Sequence, residues 1–180
     1  MNKTLARLEP AKEAARLLTE LRIKKAPIPV DKVARHIHAV IRYSPLDNEI
    51  SGMVFVKEDV PVIGVNSLHH PNRQRFTIAH EIGHLLLHRE YVGAHLHVDK
   101  QYPVLMRDSK ASKGIDRMEI EANQFAATLL MPAEFLSKDV TPLIGKDVLI
   151  AIRKLARKYG VSEQAMSIRL SVLGHVELGT

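Results

Sequence analysis

The stretch FTIAHEIGHLLLH, residues 76–88, decides how the chain is read. It holds His80, Glu81 and His84 in the order HExxH. Two histidines four residues apart stand about one helical turn apart on one face, the spacing at which two imidazoles can grip one metal ion. On a wheel of about 100° per residue, Thr77, His80, Glu81, His84 and His88 fall within one arc of roughly 100°. Phe76, Ile78, Ala79, Ile82, Gly83, Leu85, Leu86 and Leu87 fill the rest, which predicts a helix buried nearly all round with one polar stripe. Three histidines and a carboxylate along a core helix cost several kcal/mol of desolvation unless a metal, hydrogen bonds or a water-filled cleft satisfies them. A chance HExxH on an ordinary amphipathic helix would not explain that burial.

Working downstream, the next helix begins near Ile115 and runs through DRMEIEANQFAATLL until Met131 and Pro132 end it. Met118, Ala122, Phe125, Ala126, Leu129 and Leu130 form an apolar arc about 140° wide. Glu119 lies inside that arc, whereas Glu121 lies on the polar side with Gln124 and Thr128 and is expected to be solvated. A carboxylate pointing at the core calls for a cation or hydrogen-bond donors. A zinc held by two histidines needs a third protein ligand and an open position for water, and Glu119 is the candidate. Ala122 and Ala126 flank it and let another helix approach closely. Asn123, one turn on, is placed to hydrogen-bond a ligand. The longer signature HExxHxxGxxH is rejected, because Leu87 stands at its glycine position and Glu90 at its third histidine position. His88 is off that spacing and is expected to be exposed or to support a ligand.

Upstream, Glu9 to Leu21 carries apolar residues at helical spacing, with Pro10 suited to the first turn. After Pro27 and Pro29 a second short helix is expected through Val33 and Ile37, capped by Asp31. Ala39 to Tyr43, Met53 to Val56 and Val60 to Val65 read as strands, the last two joined at a tip of Lys57, Glu58 and Asp59. They predict a small antiparallel sheet whose edge could pair with an extended polypeptide. Pro71 fits the start of the central helix, and His69 and His70 before it are expected to be exposed. From Arg89 to Asp116 the sequence is polar and irregular, a loop able to gate a cleft, with strand character at Tyr102 to Met106. His95 and His97 have no assignment in this pattern.

The 180 residues, 46% hydrophobic, suffice for one core, so one domain is expected: an N-terminal helix and linker (1–28), a catalytic core (29–137) and C-terminal helices (145–174). There is no cysteine, which excludes disulfides and thiolate metal sites and leaves nitrogen and oxygen ligands. With no signal-like or membrane-length apolar run, the expected location is the cytoplasm. The net charge of +6 is compatible with a solvated exterior, and 4% aromatic residues without tryptophan argue against stacking platforms for single-stranded nucleic acid.

Lys146 to Tyr159 is a basic amphipathic segment, followed by Gly160 as a stop and Ser162 as an N-cap for a last helix. This is the outline of a helix-turn-helix. In a DNA-binding reading Ser162, Glu163, Ser167 and Arg169 face a groove, with Lys154, Arg157 and Lys158 near phosphate. In a structural reading Val161, Ala165, Ile168, Leu170 and Leu173 pack the pair onto the core. The recognition face lacks the cluster of Arg, Asn and Gln suited to base edges, which favours the second.

The two motifs FTIAHEIGHLLLH and EIEANQFAATLLMP, with SGMVFV, VIGVN and NRQR before them, resemble the ImmA/IrrE family of metallo-endopeptidases over roughly Val30 to Gly174. The resemblance implies an α+β, zincin-like (gluzincin) fold. It also implies a Zn2+ site of His80, His84 and Glu119, with Glu81 as the catalytic base. The implied substrate is a helix-turn-helix (XRE-like) transcriptional repressor, often encoded nearby, whose cleavage relieves repression of stress or mobile-element genes. The alternative is a DNA-binding transcriptional regulator whose zinc site is structural or sensory.

Overall fold

A computed structural model of the chain describes residues 9–94, 97–100, 112–141 and 147–176. Pro10 occupies the first turn of α1 (Pro10–Glu20), where its missing N–H costs no hydrogen bond, and the helix buries Ala14, Leu17 and Leu18. The short α2 (Val30–His36) starts two residues earlier than expected. Pro29 stands at its N-cap and Asp31 falls in the first turn, so Asp31 is not the cap.

Four strands form one sheet: β1 (Val40–Ser44), β2 (Ile50–Lys57), β3 (Val60–Asn66) and β4 (His97–Lys100), in the order β1-β3-β2-β4. Glu58 and Asp59 join β2 to β3 with φ of 51° and 63°, the pair of positive values that a tight two-residue hairpin turn requires. β2 is antiparallel to both β3 and β4, but β1 pairs with β3 in parallel. The sheet is therefore mixed, which corrects the expected antiparallel sheet. Asn66 lies fully buried at the end of β3. Its amide nitrogen donates to the carbonyls of Leu46 (3.2 Å), Asp47 (3.1 Å) and Ile50 (2.9 Å), tying the connector from β1 to β2 across the end of β3. With that connector lifted over it, β3 fills the gap between β1 and β2.

The central helix α3 (Pro71–Leu87) lies against β2 and β3 on one side. Its N-cap is His70, whose Nδ1 accepts from the Asn72 amide at 3.1 Å, and every residue from Thr77 to Leu85 is buried. α4 (Arg89–Ala94) follows directly, and α5 (Ser112–Leu130) packs on the other side of α3 and also on α1. The region 89–116, expected as loop, thus holds α4, β4 and the start of α5. The expected strand at 102–106 lies outside the described residues. Ala122, Phe125, Ala126, Leu129 and Leu130 of α5 are all fully buried, matching the apolar arc of the wheel. At the crossing, a Cβ on Gly83 would lie 3.1 Å from Phe125 Cδ1 and 3.2 Å from Ala122 Cα, so glycine on one helix and alanine on the other set how closely the axes approach.

Pro132 caps α6 (Ala133–Val140), an element too short to show a period of its own in the sequence. Asp147 caps α7 (Val148–Tyr159), accepting from the amides of Leu149 at 2.8 Å and Ile150 at 3.2 Å. Gly160, at φ 64°, closes α7, and Ser162 caps α8 (Glu163–Val172). This turn is fastened to α3: Arg75 Nε donates to the Gly160 carbonyl (3.2 Å) and Asn72 Nδ2 to that of Val161 (2.9 Å). Val161, Met166 and Leu170 are buried, but Ile168, expected in the packed face, is 50% exposed. Among the described residues no helix is long and apolar enough to cross a membrane.

Gly83→Val is expected to destabilise the fold by about 1–3 kcal/mol through overpacking against Ala122 and Phe125. Urea denaturation reads this as a lower midpoint, and an unchanged midpoint would contradict the close helix approach.

Candidate metal centre

The α3–α5 crossing sets the site. His80 and His84, one turn apart on α3, present their Nε2 atoms to each other at 3.0 Å. Glu119 reaches across from α5, with its carboxylate oxygens 3.3 Å from His80 Nε2 and 3.3 Å from His84 Nε2. The sequence pattern does not single out the fourth member. His97 on β4 places Nε2 3.1 Å from Glu119 Oε1, with its ring 4.1 Å from that of His84. One atom from each of the four side chains lies within 4.8 Å of all the others.

The position of His97 follows from strand register. His97 pairs with Val54, and cross-strand partners share a face of the sheet. Val54 is fully buried. The same face therefore turns His97 inward, and it is buried as well. A four-residue edge strand in a polar region shows no alternation, so periodicity could not single out this residue.

The donor set fits a divalent cation. In a tetrahedral site, metal–ligand distances of about 2.0–2.2 Å set ligand–ligand separations of roughly 3.3–3.6 Å, close to those found here. Burial pushes the His84 imidazole down to about 4, against the opposing pull of Glu119, so it is neutral at ordinary pH. Burial alone would raise Glu119, but hydrogen bonds with His80, His84 and His97 outweigh it and hold the carboxyl well below the usual carboxylate range. A neutral His84 imidazole beside an ionised Glu119 carboxylate is the protonation pattern that metal binding needs.

Supporting contacts surround the cluster. His80 Nδ1 lies 3.0 Å from Asn123 Oδ1, which fixes the ring with Nε2 toward the cluster. His88 is not among the four. Its Nε2 donates to the Met118 carbonyl at 3.2 Å, tying the end of α3 to the residue before Glu119. Glu121 is not the solvated residue expected. Its side chain is 16% exposed, because it sits between Arg117 (3.3 Å) and His88 (3.8 Å). His69 and His70 stay away from the cluster, His69 Nε2 near the Asn48 carbonyl (3.3 Å) and His70 at the α3 cap. Tyr91 stands edge-on to His97 at 6.3 Å between ring centroids. Tyr102 and His95 lie outside the described residues.

Glu81 is fully buried. Its Oε1 faces β2, where a Cβ on Gly52 would come within 3.2 Å of it, within 2.9 Å of the Gly64 carbonyl, and into collision with Thr77. Glycine at position 52 therefore lets the sheet close on α3 beside this carboxylate. A groove of about 660 Å³ opens one turn before Glu81, lined by Ser51, Arg73, Thr77, Ala165 and Ile168 among others.

The fold is similar to that of a solved Mycobacterium tuberculosis transcriptional regulator, with a TM-score of 0.59 at 21% identity, covering 90% of this chain and 46% of that one. The chain thus spans less than half the length of that protein, and at this identity the similarity concerns the fold alone. Among curated proteins no significant match is found. The profile of peptidase family M78, described as the IrrE N-terminal-like domain, matches residues 34–171, in agreement with the resemblance that the two motifs carry. The chain therefore belongs to this family of metal-dependent peptidases.

Proposed function

We propose that the protein is a zinc-dependent endopeptidase that cleaves a helix-turn-helix repressor. The observation that carries the reading is the convergence of His80, His84 and Glu119 within 3.3 Å, on the helix that also buries Glu81. A zinc ion bound there supplies Lewis-acid polarisation of a carbonyl and brings the pKa of coordinated water toward neutrality. His80 and His84 would hold that ion from one helix face and Glu119 from the facing helix, while Asn123 fixes the His80 ring. Glu81 takes the proton of the attacking water on its carboxylate and returns one to the leaving amine nitrogen. Glu81 is buried between α3 and β2, beside Gly52. The groove beside Ser51, Thr77 and Ile168 is the approach for the substrate segment.

The repressor substrate rests on the family resemblance. Four protein donors are also the number found in closed, structural zinc sites, which favours the alternative of a regulator with a structural or sensory metal. Against that alternative, three of the basic side chains on the C-terminal helices are engaged within the chain. Arg169 donates to the Met131 carbonyl at 3.1 Å, Lys158 pairs with Asp139 at 2.5 Å, and Arg153 pairs with Glu163 at 3.2 Å. A structural site has no use for a buried carboxylate beside its ligands.

Glu81→Gln is expected to keep zinc and the folded state while cleavage of a repressor encoded beside this gene falls on the order of 10²–10⁴-fold. Proteolysis at the wild-type rate in that variant would sink the assignment. In zinc titrations Glu119→Ala is expected to abolish tight binding while Glu121→Ala retains it, and the reverse order would reassign the ligand.

A further inference from the structure

We propose that His97 is a displaceable fourth ligand, carried on β4, that closes the metal site and keeps it latent. The inference rests on the metal reading above and adds a role for a residue outside the HExxH and Glu119 motifs. Three protein donors leave a position open for water and substrate, whereas a fourth fills it. His97 is placed to fill it: buried, with Nε2 3.1 Å from Glu119 and its ring against His84.

The four donors are held unequally. His80 and His84 sit in the middle of a 17-residue helix whose buried span contains both, and Glu119 sits on a 19-residue helix packed against it. β4 has four residues and, among the described residues, lies at the edge of the sheet with β2 as its one neighbouring strand. Its register is interrupted by an irregularity between Ile50 and Gly52. Such a strand opens locally at far lower free energy than packed helices do. Donors on α3 and α5 therefore anchor a cation, and the donor on β4 is the one that can leave.

The same strand blocks a second feature. β4 covers the outer edge of β2, pairing from Ile50 to Val54, directly beside Gly52 and the buried Glu81. If β4 lifts away, β2 presents unpaired backbone donors and acceptors next to the metal, the arrangement that accepts an extended peptide by strand addition. One displacement thus frees the fourth position and the docking edge, so β4 stands in for the substrate strand. The exchange is ligand substitution, with neutral imidazole leaving and an oxygen donor arriving.

The test uses the full chain loaded with cobalt(II), whose visible absorption reports coordination, and acetohydroxamate as an oxygen-donor probe. Wild type, His97→Ala and His97→Gln are compared, with His84→Ala as the variant that loses an anchoring ligand. Both His97 variants are expected to retain one cobalt per chain, with affinity reduced by on the order of ten- to a hundredfold, and to change spectrum as one nitrogen donor is lost. Because the wild-type position is occupied most of the time, both variants are expected to bind acetohydroxamate about tenfold or more tightly than wild type. Equal hydroxamate affinity in wild type and the His97 variants would overturn the proposal while leaving the metal site intact. Loss of cobalt from both, as in His84→Ala, would overturn it by making His97 an anchor. A wild-type chain that binds no cobalt would remove the metal reading itself.

Discussion

The close crossing of α3 and α5 is the contact on which the rest depends. Glycine in a helix interior costs about 1 kcal/mol relative to alanine, and Gly83 bears that cost at the position where any side chain would push α5 away. Ala122 meets it from the other helix. On the opposite side of α3, Gly52 does the same for the sheet, so the central helix is clamped between two surfaces that both approach at backbone distance. Widening either gap by a methyl group would move Glu119 away from His80 and His84, or β2 away from Glu81. Packing and chemistry are thus set by the same small residues.

Much of this was legible in the sequence, for a definite reason. Long buried helices leave a strong wheel pattern, and the odd residue in the apolar arc of α5, Glu119, is the one that meets the histidines. Shorter elements leave no such trace. The parallel pairing of β1 with β3 goes with a connector that Asn66 ties across the end of β3, a tertiary arrangement that strand alternation does not encode. Glu121 lies on the polar side of the wheel yet is shielded by Arg117 and His88, because the end of α3 reaches over that face. His97 is brought in by register with Val54, and a four-residue strand carries too few positions to announce it.

The C-terminal helices show how a motif can be present in outline and still serve the core. Gly160 and Ser162 make the turn as the sequence indicates, but Arg75 and Asn72 bind its carbonyls and fasten it to the start of α3. Arg169, a candidate for reading DNA, is turned inward to the end of α5. These contacts brace the end of the α3–α5 pair where α3 starts and α5 finishes, which gives the two helices a structural reason to be there. The family match and the buried Glu81 then favour hydrolysis over a passive metal.

The proposed chemistry depends on where the metal sits. Anomalous diffraction at the zinc edge from crystals of the zinc-loaded protein measures that position directly. The predicted result is one ion per chain between α3 and α5, about 2.0–2.2 Å from His80 Nε2, His84 Nε2 and a Glu119 oxygen. An ion bound elsewhere, for instance by His69 and His70, with none between the two helices, would contradict it.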